Sequence, residues 1–215
     1  MARRTRIPRV ILMVKAPRVG QVKKRLGREV GAVDAWRIYR LLLRQTIARL
    51  GRDRRWHLWI ALSPDSARTR SFRLAGAIRP KGVLRQGQGD LGRRMGRTFL
   101  GGPAGPAVMV GGDIPDLGPQ HIRRALRLLA RHDAVLGPAG DGGYWLVGFR
   151  QPRRAVLDHK CFEGVRWSTS HTSADTARNL ARLAVGYAPA LDDLDNGADW
   201  RRWRRRRERR QPGSA

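Results

Sequence analysis

Acidic residues that could bind a divalent cation lie in two short segments of the chain. In residues 108–117, an apolar strand pattern runs through two glycines to Asp113. Open α/β sheets bind ligands at the carboxyl ends of their strands, so Asp113 is a candidate ligand of Mg²⁺ or Mn²⁺. In residues 191–199, Asp193 and Asp195 are one residue apart and would face the same side of an extended chain. We expect these three carboxylates to form one metal site.

Both acidic segments also allow a purely structural interpretation. Asp116 is better placed than Asp113 to cap the helix that begins near residue 119, which leaves Asp113 available to a metal. The acids of residues 191–199 could favour the start of a terminal helix, with Asp199 in its first turn. This capping role and metal binding are compatible with each other.

Basic residues of the first loop could bind phosphate. Residues 15–24 follow an apolar strand and precede a helix, and Lys15, Lys23 and Arg25 could contact phosphate oxygens together with the helix N-terminus. The spacings of a P-loop (GxxxxGK[ST]) and of a dinucleotide-binding turn (GxGxxG) are absent from this segment. In a chain this rich in arginine, a solvated basic loop is an equally good interpretation.

Two further segments could contact a substrate. Residues 137–145 contain Asp141 among closely spaced glycines, which favours a ligand-contacting loop, although Asp141-Gly-Gly is also a common hairpin turn. Asp141 is the candidate for an acceptor-side contact or a general base. Residues 162–169 are aromatic and polar without a helical period, and they form either a substrate-side loop or an Ω-like connection.

Strand and helix patterns alternate along the chain and predict an α/β fold with a largely parallel sheet. The predicted strands are residues 9–14, 55–62, 82–85, 107–111, 133–136, 143–149 and 185–189. The predicted helices are residues 33–50, 89–100, 119–131, 170–183 and 196–209, with a further short helix that starts at Ser63. Since the strands 133–136 and 143–149 follow each other closely, we expect a hairpin there and hence a mixed sheet.

The composition is that of a globular chain with a strongly basic charge. The 215 residues include 45 basic and 17 acidic ones, and 40 of the basic residues are arginine. No apolar run approaches the roughly 20 residues of a membrane span, and the first apolar run is too short for a secretory signal. Cys161 is the only cysteine, which is compatible with the reducing cytoplasm, where we expect the protein. We expect one domain over residues 1–203 and a basic tail without fixed structure over residues 204–215.

The positive charge is spread over the whole chain. Residues 201–210 contain eight arginines and one glutamate, so they supply +7 of the net +28, and +21 belongs to the remainder. This distribution indicates a compositional bias more than a nucleic-acid-binding face. We therefore expect no specific nucleic-acid partner, although weak binding to polyanions follows from the charge. The basic tail, with Trp203 among the arginines, could also contact anionic lipid headgroups.

In combination and in this order, the segments resemble a family of small bacterial GT-A-type glycosyltransferases, some of them assigned to arsenosugar biosynthesis. The family is similar to the wider nucleotide-diphospho-sugar transferase superfamily, and the resemblance covers residues 10–203. It rests on Lys15-Ala-Pro17, Gly20, Val22-Lys23, Arg25-Leu26, Gln88-Gly-Asp-Leu-Gly92, Met95, Gly111, Asp113-Ile-Pro115, Leu117, Gly137-Pro-Ala139, Asp141-Gly-Gly-Tyr144, Leu146, Gly148, Trp167-Ser-Thr169, Asp193, Asp195 and Asp199.

The resemblance implies a three-layer α/β/α GT-A fold with a mostly parallel mixed sheet and a nucleotide at its carboxyl edge. It implies that Asp113, Asp193 and Asp195 bind Mg²⁺ or Mn²⁺, and that Asp113 and Asp141 act in catalysis. The residues that it implies for nucleotide binding are Lys15, Pro17, Gly20, Lys23, Arg25, Gln88, Gly89, Asp90, Gly142 and Gly143.

The activity implied by the resemblance is metal-dependent glycosyl transfer from a nucleoside-diphosphate sugar to a small-molecule acceptor. The alternative is a guanylyltransferase-like nucleotidyltransferase, which would use a nucleoside triphosphate and a phosphorylated small molecule, because relatives carry out this reaction with the same fold and carboxylates. A weaker alternative is a non-catalytic polyanion-binding protein on the same scaffold.

The chain departs from the family's pattern at several positions. The family usually has Thr at the position of Lys24, Ser or Thr at Gly112, and an acid at Arg93. After the late Asp-x-Asp it usually has Thr-Pro, where this chain has Asn196-Gly197. These changes leave the candidate metal carboxylates in place, and Arg93 could change the charge preference for the substrate.

Overall fold

The computed structural model describes residues 6–67 and 80–210, and for residues 207–210 the backbone alone. The strands are β1 Arg9–Lys15, β2 His57–Ser63, β3 Gly82–Arg85, β4 Ala107–Gly111, β5 Ala134–Pro138, β6 Tyr144–Phe149 and β7 Val185–Tyr187. The helices are α1 Lys24–Val30, α2 Ala32–Gly51, α3 Leu91–Leu100, α4 Pro119–Leu129, α5 Pro152–Leu157, α6 Thr172–Asn179 and α7 Gly197–Arg210. The strands form one seven-stranded sheet in the order β3-β2-β1-β4-β6-β5-β7.

The sheet is parallel except at β6, which runs antiparallel to both of its neighbours, β4 and β5. β1 lies near the middle and pairs in parallel with β2 and β4. The hairpin predicted for the region after residue 133 is therefore confirmed as β5–β6. The α/β fold with a mostly parallel, mixed sheet is confirmed as well.

Helices cover both faces of the sheet, so the fold has three layers. Alternate residues of β1 face opposite sides, with Val10 and Leu12 in one apolar cluster and Ile11 in the other. The helices α2 and α4 pack in the first cluster, while α3 and α5 contribute to the second. Burial of these two apolar layers holds the sheet edges, and hence the loops that extend from them, in fixed positions.

Two helices differ from the sequence-based expectation. The first loop is followed by two helices instead of one, because Gly31 separates α1 from α2 with a φ of 87° that favours glycine. The short α5 was not predicted, since six residues carry too little periodic pattern to indicate a helix. The helix predicted from Ser63 lies largely outside the described residues, which stop at 67 and resume at 80.

The prediction that Asp116 caps α4 is wrong. Gly118 is the N-cap residue, and its backbone N–H donates to Nδ1 of His121 at 3.1 Å. Asp116 instead lies 3.5 Å from a guanidinium nitrogen of Arg206 in α7. Capping of α4 therefore uses neither Asp116 nor Asp113.

The last helix has nearly the bounds that the sequence predicts, residues 196–209. α7 runs to Arg210 and is anchored by Trp203, which is buried against Leu26 and Leu42. Residues 204–210, which the predicted boundary assigns to the basic tail, belong to this helix, and residues 211–215 lie outside the described part. Among the described residues, no helix has both the length and the apolar character to cross a membrane.

Candidate active site

Most of the candidate residues lie at the edge of the sheet where the parallel strands have their carboxyl ends. Lys15 is the last residue of β1, and Asp113 follows β4 by two residues. The β5–β6 hairpin turns at the same edge, because β5 runs parallel to β4 through their shared antiparallel neighbour. A Cβ at Gly111 would lie 2.9 Å from Oδ1 of Asp113, so this glycine leaves room for the carboxylate.

The segment after β7 crosses this edge and carries the late acidic residues to Asp113. Its backbone donates hydrogen bonds in succession from Ala188 to Leu136 O at 2.8 Å and from Leu194 to Asp113 O at 3.1 Å. This path explains how carboxylates about 80 residues apart in the chain meet at one place.

Three carboxylates surround the ammonium group of Lys23. Its Nζ lies 2.7 Å from Oδ2 of Asp113, 3.5 Å from Oδ1 of Asp195 and 4.0 Å from Oδ2 of Asp193. The Lys23 side chain is only 5% exposed. Arg25 adds a second cation, 2.9 Å from Oδ2 of Asp195, at a more exposed position. The predicted grouping of Asp113 with the late Asp-x-Asp is thus present in the structure.

The charges of this cluster perturb one another's ionisation. Burial raises the pKa of Asp193 to about 6, against the opposing attraction of Lys23 and with the added repulsion of Asp113. Burial alone would lower the pKa of Lys23, but attraction to Asp113, with Asp193 and Asp195, outweighs burial and raises the pKa of this lysine. Lys23 therefore stays cationic at neutral pH.

The first loop is fixed by aromatic residues of α2. The Tyr39 hydroxyl donates to the carbonyl of Lys15 at 3.0 Å and accepts from its N–H at 3.2 Å. Burial, with the nearby charge of Asp113, raises the pKa of Tyr39, so the hydroxyl keeps its proton. Trp36 donates its indole N–H to the carbonyl of Pro17 at 2.9 Å. Lys23 itself has a φ of 47°, a left-handed conformation that directs the chain into α1.

The three carboxylates have the right chemistry for a divalent cation, but the Lys23 ammonium would have to move before one could bind. Carboxylate oxygens are ligands that Mg²⁺ and Mn²⁺ prefer, and here Asp113, Asp193 and Asp195 already converge on one positive charge. Among residues 6–67 and 80–210, no set of three His, Cys, Asp or Glu side chains has the spacing of a metal-binding group as it stands. A metal ion at these carboxylates would therefore have to displace the Lys23 ammonium.

A cavity of about 230 Å³ lies beside the carboxylates. Its lining combines carboxylates, aromatic rings, aliphatic side chains and hydroxyls: Asp113, Asp141, Asp193, Tyr144, Trp145, Trp167, Leu91, Ile114, Ser168, Thr169 and Thr172. A larger cavity of about 390 Å³ between α2 and α7 is lined by Gln45, Arg49 and Trp203 rather than by the predicted site residues. The smaller cavity is the better candidate for the substrate site because predicted carboxylates line it.

The loop of residues 162–169 reaches this cavity with its last three residues. Trp167, Ser168 and Thr169 line the cavity. The loop is held by Asp175 of α6, whose side chain is 5% exposed and accepts from Nε and Nη2 of Arg166, both at 2.8 Å, and from its backbone N–H at 3.1 Å. The substrate-side interpretation of this loop is consistent with its position.

The β5–β6 turn presents Asp141 to the cavity. The turn is a hairpin, as the simpler interpretation required, and it also lines the cavity through Asp141 and Gly143. Oδ1 of Asp141 accepts from the Gly143 N–H at 2.9 Å. Gly142 has a φ of 84°, and a Cβ there would lie 2.3 Å from the carbonyl oxygen of Ser170. Gly142 is therefore a packing residue of the turn.

The motif of Gln88, Gly89 and Asp90 has a structural role in the fold. Oδ1 of Asp90 accepts from the Arg93 N–H at 2.8 Å and caps α3. The carbonyl of Gln88 accepts from Arg97 at 3.1 Å, and Gly89 has a φ of 106°. The adjoining Leu91 lines the cavity, and a Cβ at Gly92 would lie 2.7 Å from the Trp167 ring. This motif thus packs α3 against the loop that carries Trp167.

The predicted residues therefore fall into four groups, and Lys15 ends β1 beside them. Asp113, Asp193, Asp195, Lys23 and Arg25 form the charged cluster, while Asp141 and Gly143 join Asp113 and Asp193 at the cavity. Gln88, Gly89, Asp90 and Gly142 shape the surrounding elements, and Pro17 and Gly20 lie in the first loop, where Gly20 is exposed in a turn.

Two residues of the site were not predicted from the sequence. Tyr39 looked like one member of the apolar stripe of α2, and its hydroxyl gave no sign of bonding to Lys15. Asp175 is a single acid within a helix, and nothing in its spacing indicates that it holds the residue before Trp167. Arg93, which could have changed the charge of the substrate site, lines a separate cavity with Lys160 and Glu163.

Comparison with known proteins identifies the chain's relatives. The model of a family described as uncharacterized proteins conserved in bacteria, DUF2064, matches residues 46–169. A proposed nucleotide-diphospho-sugar transferase of Desulfovibrio desulfuricans G20 is 32% identical, with a TM-score of 0.81, over 94% of this chain and 87% of that one. No curated protein matches the chain.

More distant structures share the fold. Rv0371c of Mycobacterium tuberculosis H37Rv is 18% identical with a TM-score of 0.56, over 93% of this chain and 97% of that one, and it has also been solved in complex with manganese. A CMP:2-keto-3-deoxy-manno-octonic acid synthetase complexed with CTP is 10% identical with a TM-score of 0.58, over 95% and 99% of the two chains.

Proposed function

The chain belongs to the DUF2064 family and is a transferase of the nucleotide-diphospho-sugar transferase superfamily, and we propose that it transfers a glycosyl group from a nucleoside-diphosphate sugar to a small acceptor with the help of a divalent metal ion. The relative that is 32% identical is itself a proposed nucleotide-diphospho-sugar transferase. The Rv0371c structure with manganese shows that a protein of the same fold binds this metal.

One observation carries the proposal: the site has two chemically different halves that meet at Asp113. On one side are the cations Lys23 and Arg25 with the carboxylates Asp113 and Asp195. On the other side is the cavity with Asp141 and Trp167. Glycosyl transfer needs two such neighbouring environments, one for the charged diphosphate of the donor and one where the uncharged donor sugar meets the acceptor hydroxyl.

The reaction assigns a task to each half. The acceptor hydroxyl attacks the anomeric carbon, the bond from that carbon to the diphosphate oxygen breaks, and the nucleoside diphosphate leaves with the bonding electrons. A divalent ion held by Asp113, Asp193 and Asp195 would neutralise the charge that develops on the diphosphate. Lys15, Lys23 and Arg25 add positive charge to the same oxygens. Asp141 is the candidate to accept the proton of the acceptor hydroxyl.

The test is the isosteric substitution Asp113→Asn, assayed by nucleoside-diphosphate release from a panel of nucleoside-diphosphate sugars with Mg²⁺ or Mn²⁺. We expect at least a 100-fold loss of turnover, of the order seen when a group that stabilises transition-state charge is removed. The matched control is Asp116→Asn, three residues away in the same loop but paired with Arg206 instead of facing the site. Full activity of the folded Asp113→Asn variant would refute the proposed role.

A second candidate is nucleotidyl transfer, which the fold shared with the CTP-bound synthetase favours. The charged cluster around Lys23 could hold a triphosphate as well as a diphosphate. Pyrophosphate release from nucleoside triphosphates, measured beside nucleoside-diphosphate release from nucleotide sugars, distinguishes the two reactions.

A further inference from the structure

The cavity at the proposed site has an unusual charge for this protein. Basic residues outnumber acidic ones by 45 to 17 in the whole chain. In the part of the chain that the structure describes, the cavity is nevertheless lined by Asp113, Asp141 and Asp193, and by no Lys or Arg. A basic chain that excludes its basic side chains from one cavity creates a local environment that disfavours anions.

Asp141 keeps the lining negatively charged even when Asp113 and Asp193 are paired with Lys23 or a metal ion. Asp113 and Asp193 lie next to the Lys23 ammonium, and they are the residues we propose for the metal. Within the described residues, Asp141 forms no ion pair, and its hydrogen bond from the Gly143 N–H leaves further acceptor capacity on the carboxylate. Asp141 is thus an acceptor of hydrogen bonds in the cavity lining.

The remaining lining suits a molecule that carries hydroxyl groups on an apolar frame. Trp167 offers an aromatic surface, and Ser168 and Thr169 follow it in the same loop. Aromatic rings bury the apolar faces of a ligand, while a few polar groups fix its orientation. A carboxylate that accepts hydrogen bonds from hydroxyls completes the set.

The neighbouring arginines do not reverse this charge. Arg166 is adjacent to Trp167 in the chain, but its guanidinium is held by Asp175 through two bonds of 2.8 Å. Arg93, one turn into α3, lines a different cavity. A phosphate brought into the cavity with an acceptor would face Asp141 without a compensating cation from these residues, and like charges at close range are costly.

We propose that the part of this cavity around Asp141 and Trp167 binds a polyhydroxylated acceptor without negative charge and discriminates against its phosphorylated forms. The inference rests on the proposed function and deepens it, because it names the class of the second substrate. It also separates the two candidate reactions, since the guanylyltransferase-like alternative would act on a phosphorylated small molecule.

The test compares acceptors that differ only in a phosphate group: glycerol with glycerol 3-phosphate, and ribose with ribose 5-phosphate. Binding is measured by saturation-transfer NMR with the full chain, Mg²⁺ and a nucleoside diphosphate, so that no turnover is needed. Nucleoside-diphosphate release from nucleotide sugars is measured in parallel. We expect the unphosphorylated member of each pair to bind about 10-fold more tightly or better.

Two variants test whether the cavity causes the preference. Asp141→Asn should reduce the discrimination, because it removes the negative charge and keeps the size of the side chain. Leu91→Arg, which introduces a cation at a partly exposed position of the lining, should reverse it. The control Asp158→Asn, at the exposed C-terminus of α5, should leave the discrimination unchanged.

The possible outcomes test the class of the acceptor and the proposed glycosyl transfer independently. Tighter binding of the phosphorylated compounds, equal binding within each pair, or no binding of any acceptor would overturn it. A preference for the unphosphorylated compounds without turnover of any nucleotide sugar would support the cavity's assignment and refute glycosyl transfer. Turnover together with a preference for phosphorylated acceptors would refute the inference alone.

Discussion

At the scale of the residue, Lys23 is the counter-cation of three carboxylates. Its ammonium lies 2.7 Å from Asp113 and is almost fully buried, so its removal leaves negative charges facing one another. We expect Lys23→Met to lower the free energy of unfolding by about 1–3 kcal/mol in the presence of a chelator. Breaking a fully buried pair costs about 3–5 kcal/mol, and these carboxylates are only partly buried. Urea unfolding at neutral pH measures the change.

The same substitution should strengthen metal binding. A divalent ion at Asp113, Asp193 and Asp195 has to displace the ammonium in the wild type but not in Lys23→Met, so Mn²⁺ should bind the variant more tightly and raise its melting temperature more. Arg25→Met is the matched control, because Arg25 is an exposed partner of Asp195 at 2.9 Å and exposed pairs contribute about 0–1 kcal/mol. If Lys23→Met bound Mn²⁺ no better than the wild type, the lysine and the metal would not share these carboxylates.

At the scale of the element, the β5–β6 hairpin packs directly on the backbone that precedes α6. Gly142 has a φ of 84°, and a Cβ would lie 2.3 Å from O and 2.5 Å from Cα of Ser170. We expect Gly142→Ala to cost about 2 kcal/mol or more, because left-handed strain of about 1–3 kcal/mol adds to a backbone clash. Gly20→Ala tests the strain alone, since Gly20 has a φ of 73° with no atom within 4 Å of a Cβ. Equal urea midpoints for the two variants would argue against the packing role.

The loop that carries Trp167 depends on one ion pair with α6. Asp175→Asn removes the charge that holds Arg166 through two bonds of 2.8 Å, so the cavity wall should shift. We expect turnover to fall about 10-fold or more, since small displacements of substrate-positioning groups cost up to about 100-fold. Mn²⁺ binding should not change. Arg178→Gln is the control, because Arg178 contacts the same carboxylate from a position that is 72% exposed. A loss of Mn²⁺ binding in Asp175→Asn would mean that the pair supports the whole edge of the sheet.

The stability difference between the wild type and Asp175→Asn should also depend on pH. Hydrogen bonds from the Arg166 side chain, and then from its backbone N–H, lower the pKa of Asp175 in the folded state. A carboxyl with a lowered folded pKa stabilises the protein above its unfolded pKa of about 4 and loses this contribution as the pH falls below that value. Thermal unfolding from pH 7 to pH 2 should show a constant difference above about pH 4 and a progressively smaller difference below it. A difference that stayed constant over the whole range would mean that the ion pair is not what Asp175 contributes.

The sequence predicted the elements with long patterns and the site residues with distinctive spacing. Asp113 and Asp193-x-Asp195 were grouped correctly, because a strand end and a period of two determine where such carboxylates face. The α5 helix, the break at Gly31 and the cap of α4 were not predicted, since each depends on a few residues and on tertiary contacts. The partner of Lys23 was not predicted either, because a basic loop residue can pair with phosphate or with protein carboxylates, and packing decides between them.

One departure from the family's pattern has a structural explanation at this scale. Gly197 stands where the resemblance leads one to expect proline, and its N–H donates to Oε1 of Glu29 at 2.9 Å. A proline has no N–H to donate, and a Cβ at this position would lie 2.1 Å from the Glu29 carboxylate. The contact ties the start of α7 to the end of α1, next to the segment that carries Asp195. This contact helps to hold the acidic segment in place.

At the scale of the whole molecule, the charge of +28 should cause non-specific binding of polyanions that is separable from catalysis. We expect fluorescence anisotropy with random-sequence DNA to show an affinity that falls about 10³-fold or more between 50 and 200 mM salt, as for proteins that make six or more phosphate contacts. Glycosyl transfer depends on short-range contacts with buried and metal-bound groups, so its rate should change far less over the same range. The polyanion-binding alternative predicts the same steep salt dependence, but with tight DNA binding and without binding of a nucleotide and metal. Tight and steeply salt-dependent DNA binding, by a protein that binds no nucleotide with a metal ion and has no nucleotide-dependent activity, would establish that alternative instead of the transferase.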